Sequence, residues 1–157
     1  MTRLVLGVAL VATVLIAALP VWATATKRAD DPKSLSLQVA RLNLLHQYSR
    51  VWPMIDARDR QVTTLNFWES CKKRLAPQGL RVKSITAAAR VETLKLPPLG
   101  TVRVTVVHLR TRYSLAALTG IHTAHTTIYW ARSRGRWMAL WTAADYRAYS
   151  HRRCPAA

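Results

Sequence analysis

The sequence predicts an α+β domain in which N-terminal helices pack on a curved antiparallel sheet of three to four strands. Apolar residues between positions 35 and 75 recur at helical spacing, whereas those between 80 and 142 alternate with the period of two that strands require. A run of helices followed by a run of strands is typical of α+β architecture, because each layer must bury one apolar face. With 157 residues, half of them hydrophobic, the chain has the size of one such domain.

The first 25 residues have the three-part layout of a secretory signal peptide. Arg3 supplies the positive charge, Leu4–Leu19 is uncharged, and Ala23-Thr24-Ala25 has the small residues that signal peptidases recognise. An uncleaved signal anchor is the alternative, because continuing the run to Ala23 approaches the roughly 20 apolar residues that span a bilayer. The chain is thus expected to be exported, either periplasmic or secreted, or held by a single membrane pass. The predicted divisions are a signal segment (1–25), a linker (26–33), one domain (34–154) and a tail (155–157).

The two cysteines agree with export. Cys71 and Cys154 both remain after cleavage, and an even number of cysteines in an exported domain indicates a disulfide, with two free thiols as the alternative. The bond would close a loop of about 80 residues and stabilise the fold by ~4 kcal/mol on the chain-entropy model. Neither a four-cysteine nor a multi-carboxylate metal site is expected, and His122 and His125 would point to opposite faces of a strand. We predict no metal and no cofactor.

Two helices are predicted ahead of the sheet. Asp31-Pro32 has the composition of a helix start, since Asp caps a helix and Pro is favoured in its first turn. Helical periodicity then extends over Leu35–Trp52, and Pro53 ends or kinks this helix. The polar run Asp56–Arg60 is predicted to be a loop, and Leu65–Leu75 to be the second helix.

Strand patterns occupy the second half of the chain. Strand signals lie within Leu80–Leu96, and Thr101–Tyr113 is the clearest strand because its valines alternate with polar residues. The apolar parity shifts near Val106–His108, which predicts a β-bulge there. The remaining elements are a strand within Ile121–Ala131, a hairpin turn at Arg132–Gly135, a strand at Arg136–Thr142 and a short terminal turn at Ala143–Tyr149.

Four features of the chain together resemble one known superfamily. They are the helix at 35–52, the break at 52–56, the Phe67–Cys71 part of the second helix, and a closing hairpin in which Tyr129-Trp130 precede Gly135-Arg136-Trp137 and Trp141. In order and length the chain resembles the nuclear transport factor 2-like (cystatin-like, SnoaL-like) superfamily, as an exported bacterial member. The resemblance covers nearly all of the domain and implies a cone-shaped fold with a pocket between the sheet and the helices.

This resemblance also implies which side chains lie near the pocket. The candidate pocket residues are His46, Tyr48, Trp52, His125, Tyr129 and Trp141. A small apolar ligand would fit such a pocket. Enzymes of the superfamily need a pocket carboxylate or a His–Asp pair as general base. Asp56 and Asp59 have the sequence context of a turn, and no carboxylate maps to a position of that kind. We therefore predict no catalytic residue and no enzyme.

The chain is strongly basic, with 24 lysines and arginines against seven carboxylates and a net charge of +17. The basic residues are dispersed, no nucleic-acid-binding motif is visible, and the chain is expected outside the cytoplasm, so no nucleic-acid partner is predicted. The expected partner is an anionic surface, meaning lipid headgroups or an acidic wall polymer, or an envelope protein; a merely solvated surface is the alternative. The candidate basic surface consists of Arg132, Arg134, Arg136, Arg152 and Arg153.

Three functions remain open at this point. The first is an exported, non-enzymatic binding or protein-interaction module of the cell envelope. The second is a membrane-anchored accessory subunit of an envelope or secretion assembly, since the layout of one N-terminal span followed by this fold resembles such subunits. The third is a small pocket enzyme of the isomerase or dehydratase type. The superfamily resemblance further implies a homodimer formed through the sheet.

Overall fold

An open antiparallel sheet with the order β1-β2-β3-β4 and the helices on one of its faces make up residues 31–155, the part that the computed structural model describes. The α+β class and the four antiparallel strands agree with the sequence prediction. No helix within residues 31–155 has the length and apolar character needed to cross a bilayer. The predicted signal segment falls outside the described residues.

Five α-helices and four strands follow one another along these residues. They are α1 (Pro32–Leu44), α2 (Tyr48–Val51), α3 (Ala57–Arg60), α4 (Leu65–Leu75), β1 (Leu80–Leu96), β2 (Gly100–Leu115), β3 (His122–Ser133), β4 (Arg136–Leu140) and α5 (Ala143–Ser150). A 3₁₀ turn at Trp52–Met54 follows α2 directly. The caps of the two longest helices are local: the Asp31 carboxylate accepts from the Lys33 N–H, and the Thr64 hydroxyl accepts from the Phe67 N–H.

The first helix is shorter than the sequence predicted. One helix was expected over Leu35–Trp52, but α1 ends at Leu44 and helical structure resumes only at Tyr48. His46, between them, has a φ of 55°, in the left-handed region. A residue with a Cβ pays about 1–2 kcal/mol for this conformation. Tyr48 is nevertheless buried after the break, so the apolar pattern continues although the helix does not.

The predicted β-bulge near Val106–His108 is wrong. Strand β2 pairs with both of its neighbours through these residues without a register shift. Val107 and Leu109 pack in the main core under the helices, whereas Val104 and Val106 belong to a second apolar cluster. Successive side chains of a strand point to opposite faces. The apolar residues of β2 therefore change from one alternating set to the other because a different face of the strand is covered at each end.

The main core lies between the helices and one face of the sheet. Its buried members are Val39, Leu42, Tyr48, Val51, Ile55, Trp68, Cys71, Val107, Leu109, Trp130, Ala139, Trp141 and Tyr149. Trp130 is fully buried, and its indole N–H donates to the hydroxyl of the equally buried Ser36 over 2.7 Å. This bond satisfies two polar groups in the core and fixes α1 across β3.

The predicted disulfide is confirmed between Cys71 in α4 and Cys154, which follows α5. Their Cα atoms are 5.3 Å apart and the two residues are separated by 83 positions in the sequence. Cys71 has no exposed surface. The bond attaches the C-terminal segment to the helix layer. Because persistent disulfides belong to oxidising compartments, it fits a domain that is exported.

Candidate functional site

A cavity of about 610 Å³ lies between α1, α4 and the end of the sheet where β1 begins and β2 ends. We call it the α1–α4 cavity. Most of its lining residues are apolar, and α1, α4 and the sheet all contribute to it. Its principal apolar residues are Val39, Leu44, Leu75, Val82, Ile85, Leu109 and Ile128. These side chains form a pocket open at one side to solvent.

The turn from α4 into β1 forms one rim of this cavity, and it depends on a glycine. Residues 75–80 all line the cavity. Gly79 has a φ of 67°, and a Cβ at this position would lie only 2.9 Å from the Cβ of Ala116. Glycine alone combines the left-handed backbone with this close approach. The rim is therefore fixed by backbone geometry and by the contact with the end of β2.

Three polar side chains meet the apolar wall where α1 ends. His46 Nδ1 and the hydroxyl of Tyr48 are 2.9 Å apart, and only 3% of Tyr48 is exposed. Burial, with a smaller effect from the charge of Glu69, raises the pKa of Tyr48 and keeps its phenol protonated. The side-chain oxygen of Asn43 is buried and has no hydrogen-bond partner within residues 31–155. Leaving such an acceptor unpaired costs about 1–3 kcal/mol. The oxygen has almost no accessible surface, so a ligand that donates a hydrogen bond would remove this cost only after the Asn43 side chain rotates towards the cavity.

Lys72 gives the cavity its positive charge. The residue lines the α1–α4 cavity, and its ammonium group lies 5.7 Å from the centroid of the Trp68 ring. Burial lowers the pKa of Lys72, and the charge of Asp145 offsets part of this effect. A desolvated ammonium group gains most from an anion or a hydrogen-bond acceptor close by. Lys72 therefore favours a ligand with an oxygen-bearing polar end.

Of the predicted pocket residues, the structure brings His46 and Tyr48 together at the cavity. Trp52 and Trp141 lie elsewhere, in an aromatic cluster of the main core. The ring centroids of Trp52 and Trp68 are 5.5 Å apart, and those of Trp141 and Tyr149 are 4.5 Å apart. These two tryptophans pack the helices against the end of β4.

The remaining two predicted pocket residues lie on the other face of the sheet. His125 pairs with Arg110 and is exposed. Tyr129 packs against the second apolar cluster, beside Val106 and Leu140. The sequence reasoning missed Asn43 and Lys72 at the cavity. The signal for Asn43 was present, because it is a polar residue within an otherwise apolar run of leucines.

Asp56 and Asp59, predicted as turn residues in a polar loop, are buried: 2% and 1% of their surfaces are exposed. Asp56 caps α3 and forms an ion pair with Arg58 over 2.9 Å. Burial alone would raise the pKa of Asp56, but hydrogen bonds from Arg58 outweigh it, so this pKa falls below its ordinary value. Neither carboxylate lines the α1–α4 cavity.

Asp59 has the opposite electrostatic balance. One of its oxygens accepts the backbone N–H of Trp141 over 2.8 Å, and the other has no partner within the described part of the chain. Burial, reinforced by the charge of Asp56, raises the pKa of Asp59 to about 6. The carboxyl group holds the backbone at Trp141, just after β4, and does not line the α1–α4 cavity.

The five arginines of the candidate basic surface are all exposed, on two separate segments. Arg132, Arg134 and Arg136 belong to the β3–β4 hairpin, whose turn holds Arg134 at a φ of 49°. The guanidinium of Arg132 lies over the ring of Trp137, 5.0 Å from its centroid. Arg152 and Arg153 follow α5 and precede the disulfide cysteine.

The described residues contain no group of three His, Cys, Asp or Glu side chains that could hold a metal ion. The register of β3 places His122 opposite Tyr113 and His125 opposite Arg110, on opposite faces of the sheet, as predicted. Comparison of the chain with protein-family models, with curated protein sequences and with solved structures gave no significant match.

Proposed function

We propose that this protein is an exported, non-enzymatic binding module of the cell envelope, with the nuclear transport factor 2-like fold, and that its α1–α4 cavity binds a small ligand. The single observation that carries the proposal is the buried, unpaired oxygen of Asn43, a residue in the wall of a cavity whose other lining residues are mainly apolar. The cavity volume of about 610 Å³ lies within the range of about 300–1,000 Å³ that ligand sites occupy.

The chemistry of the wall specifies the class of ligand. An apolar body would cover the aliphatic side chains of α1, α4 and the sheet. A hydroxyl or amide donor at one end would pair with Asn43, and an oxygen acceptor would approach Lys72 or the His46–Tyr48 pair. We infer a small, largely apolar molecule with one polar end.

Several features support the superfamily assignment and the export that belong to this proposal. Four helices precede the sheet, and the helices cover one face of it. The β3–β4 hairpin forms the last part of the sheet, and a cavity lies between the helices and the sheet. The disulfide supports export, in agreement with the signal-like sequence of residues 1–25.

A binding module is favoured over an enzyme because of where the carboxylates lie. A general base must approach the proton that it removes within about 2.6–3.2 Å. Asp59 has a raised pKa, as catalytic carboxylates do, but it accepts from the Trp141 backbone and does not line the cavity. The cavity residues bind and orient, and none of them is a carboxylate.

The test is to replace Asn43 by Leu, which has nearly the same shape. The variant should be more stable than the wild type by about 1–3 kcal/mol, because the unpaired acceptor is gone, and it should lose the ligand. Native mass spectrometry of the protein from its host gives the ligand as mass that denaturation removes. Urea unfolding of the ligand-free protein gives the stability.

The matched control is Asn66→Leu, at an exposed position of α4. It should retain the ligand and leave the stability within about 0.5 kcal/mol of the wild type. A wild-type protein that carries no ligand, or an Asn43→Leu variant that keeps it, would overturn the proposal.

The anchored accessory subunit is the second candidate, favoured by the apolar run that extends from Leu4 to Ala23. The intact mass of the protein from its host distinguishes the two candidates. A chain that begins at Thr26 supports the secreted or periplasmic module, and a full-length chain in the membrane fraction supports the anchored subunit.

A further inference from the structure

A second concave surface, distinct from the α1–α4 cavity, lies beside the β3–β4 hairpin. This groove of about 670 Å³ runs between the hairpin, the first turns of α1 and the α2 region. Three exposed arginines line it: Arg50 from α2, and Arg132 and Arg136 from the hairpin. We call it the arginine groove. Its described lining residues include no carboxylate.

The three arginines also lack acidic partners elsewhere in the described part of the chain. The ion pairs found between positions 31 and 155 join Arg58 to Asp56, Lys73 to Glu69 and Arg90 to Glu92. Arg50 donates to the side-chain oxygen of Gln47 over 2.8 Å, which leaves its charge uncompensated. Concentrated charge of one sign creates a potential that attracts a partner of the opposite sign.

Apolar side chains contribute to the lining of the arginine groove beside the three arginines. They belong to Leu35, Met54, Trp137 and Met138. Trp137 also lies under the Arg132 guanidinium, so that an aromatic ring and a cation share one surface. Arginine binds phosphate through two parallel hydrogen bonds, and Trp at an apolar–polar boundary is typical of membrane surfaces. The combination suits a phosphate group attached to a hydrocarbon chain.

The position of the groove in the chain indicates the same partner. Leu35, in the first turn of α1, lines the groove, and α1 begins at Pro32. Only 12 residues separate Pro32 from Leu19, the end of the uncharged apolar run. An extended chain covers at most about 3.6 Å per residue, so the start of α1 lies no more than roughly 47 Å from that run as long as residues 1–25 remain attached. A membrane that receives the N-terminal run during export would therefore be within reach of the groove before cleavage.

We propose that the arginine groove binds the phosphate headgroups of anionic phospholipids and holds this end of the domain on a bilayer surface. In this proposal the arginines bind the phosphate, and the apolar side chains of the lining contact the first part of an acyl chain. This site is independent of the ligand proposed for the α1–α4 cavity.

The test measures flotation of the full chain with phosphatidylcholine vesicles and with vesicles that contain one third phosphatidylglycerol. Any insertion of residues 1–25 contributes to both compositions, so the difference between them reports the effect of lipid charge. The triple variant R50Q/R132Q/R136Q should lose about a hundredfold in partitioning to the anionic vesicles, at roughly a fivefold loss for each arginine. Its binding to phosphatidylcholine should not change. The single variant R136Q, which alters only an exposed side chain, should lose about fivefold.

The matched control is R81Q/R110Q/R112Q, which removes the same charge from exposed positions at the other end of the sheet. It should keep most of the binding to anionic vesicles. Equal losses in the two triple variants would assign the binding to net charge and overturn the proposal. A wild-type chain that does not distinguish the two vesicle compositions would also overturn it. Binding to polyglutamate with the same dependence on the groove arginines, without vesicle binding, would assign the groove to an acidic protein instead.

Discussion

Asp59 keeps a carboxyl group almost entirely out of water, with one of its two oxygens unpaired within the described residues. Burial raises its pKa to about 6, whereas an unfolded chain gives an ordinary value near 3.8. The carboxyl group therefore stabilises the fold below about pH 4 and loses this contribution as the pH rises through 6. The difference amounts to about 3 kcal/mol at most. Asp59→Asn should accordingly raise the free energy of unfolding at pH 7.5 by about 1–3 kcal/mol and should change it little at pH 4.

Urea unfolding of wild type and variant at both pH values measures this effect. Asp56→Asn is the matched control, because Arg58 holds the pKa of Asp56 below its ordinary value. Its loss should destabilise the fold at both pH values, because a carboxylate with a lowered pKa loses its stabilising contribution only as the pH falls below its ordinary value of 3.8. The expected result is a gain for Asp59→Asn that disappears at pH 4, beside a deficit for Asp56→Asn that persists there. A destabilised Asp59→Asn protein at pH 7.5 would contradict the argument.

The burial of these two carboxylates also shows what could not be predicted at the residue scale. Every residue of Asp56–Arg60 except Ala57 is charged, which is typical of a solvated loop. The partners that make burial tolerable come from tertiary structure: Ile55 pairs with Ala139, and the Trp141 N–H donates to Asp59. At the cavity, Tyr48 followed from the superfamily resemblance. That the side-chain oxygen of Asn43 has no hydrogen-bond partner could not be predicted, because this depends on all of its neighbours in the fold.

At the scale of elements, the starts of the helices and the closing hairpin could be predicted because their signals are local. Asp31 and Thr64 cap α1 and α4 through bonds that span two or three residues. The break at His46 was not predictable from periodicity, since Tyr48 returns to the same apolar face. The β-bulge in β2 was predicted wrongly because a strand that is covered on opposite faces at its two ends has the same apolar pattern as a bulged strand.

The turn between α4 and β1 carries a prediction at this scale. Gly79→Ala should lower the free energy of unfolding by about 2–4 kcal/mol, because a Cβ must adopt a left-handed φ and overlap with Ala116. Gly120→Ala is the control, since Gly120 has a φ of 87° but nothing within 4 Å of the added Cβ. It should cost about 1 kcal/mol. Urea unfolding of both variants gives the comparison, and equal losses would mean that the Ala116 contact contributes nothing.

At the scale of the whole molecule, the disulfide is the covalent link between the helix layer and the end of the chain. Cys71 and Cys154 lie 83 positions apart in the sequence and enclose the entire sheet and α5 in one loop. A loop of this length restricts the unfolded chain strongly, so removing the bond should lower the free energy of unfolding by about 4 kcal/mol. The double variant Cys71→Ala/Cys154→Ala tests this by urea unfolding without reductant.

The single variant Cys154→Ala should lose nearly as much free energy of unfolding, because the bond is already absent in it. Reducing the wild type should give the same loss, whereas reductant should not change the double variant. If reduction leaves the wild type as stable as before, the bond would be a consequence of the fold and not a support of it.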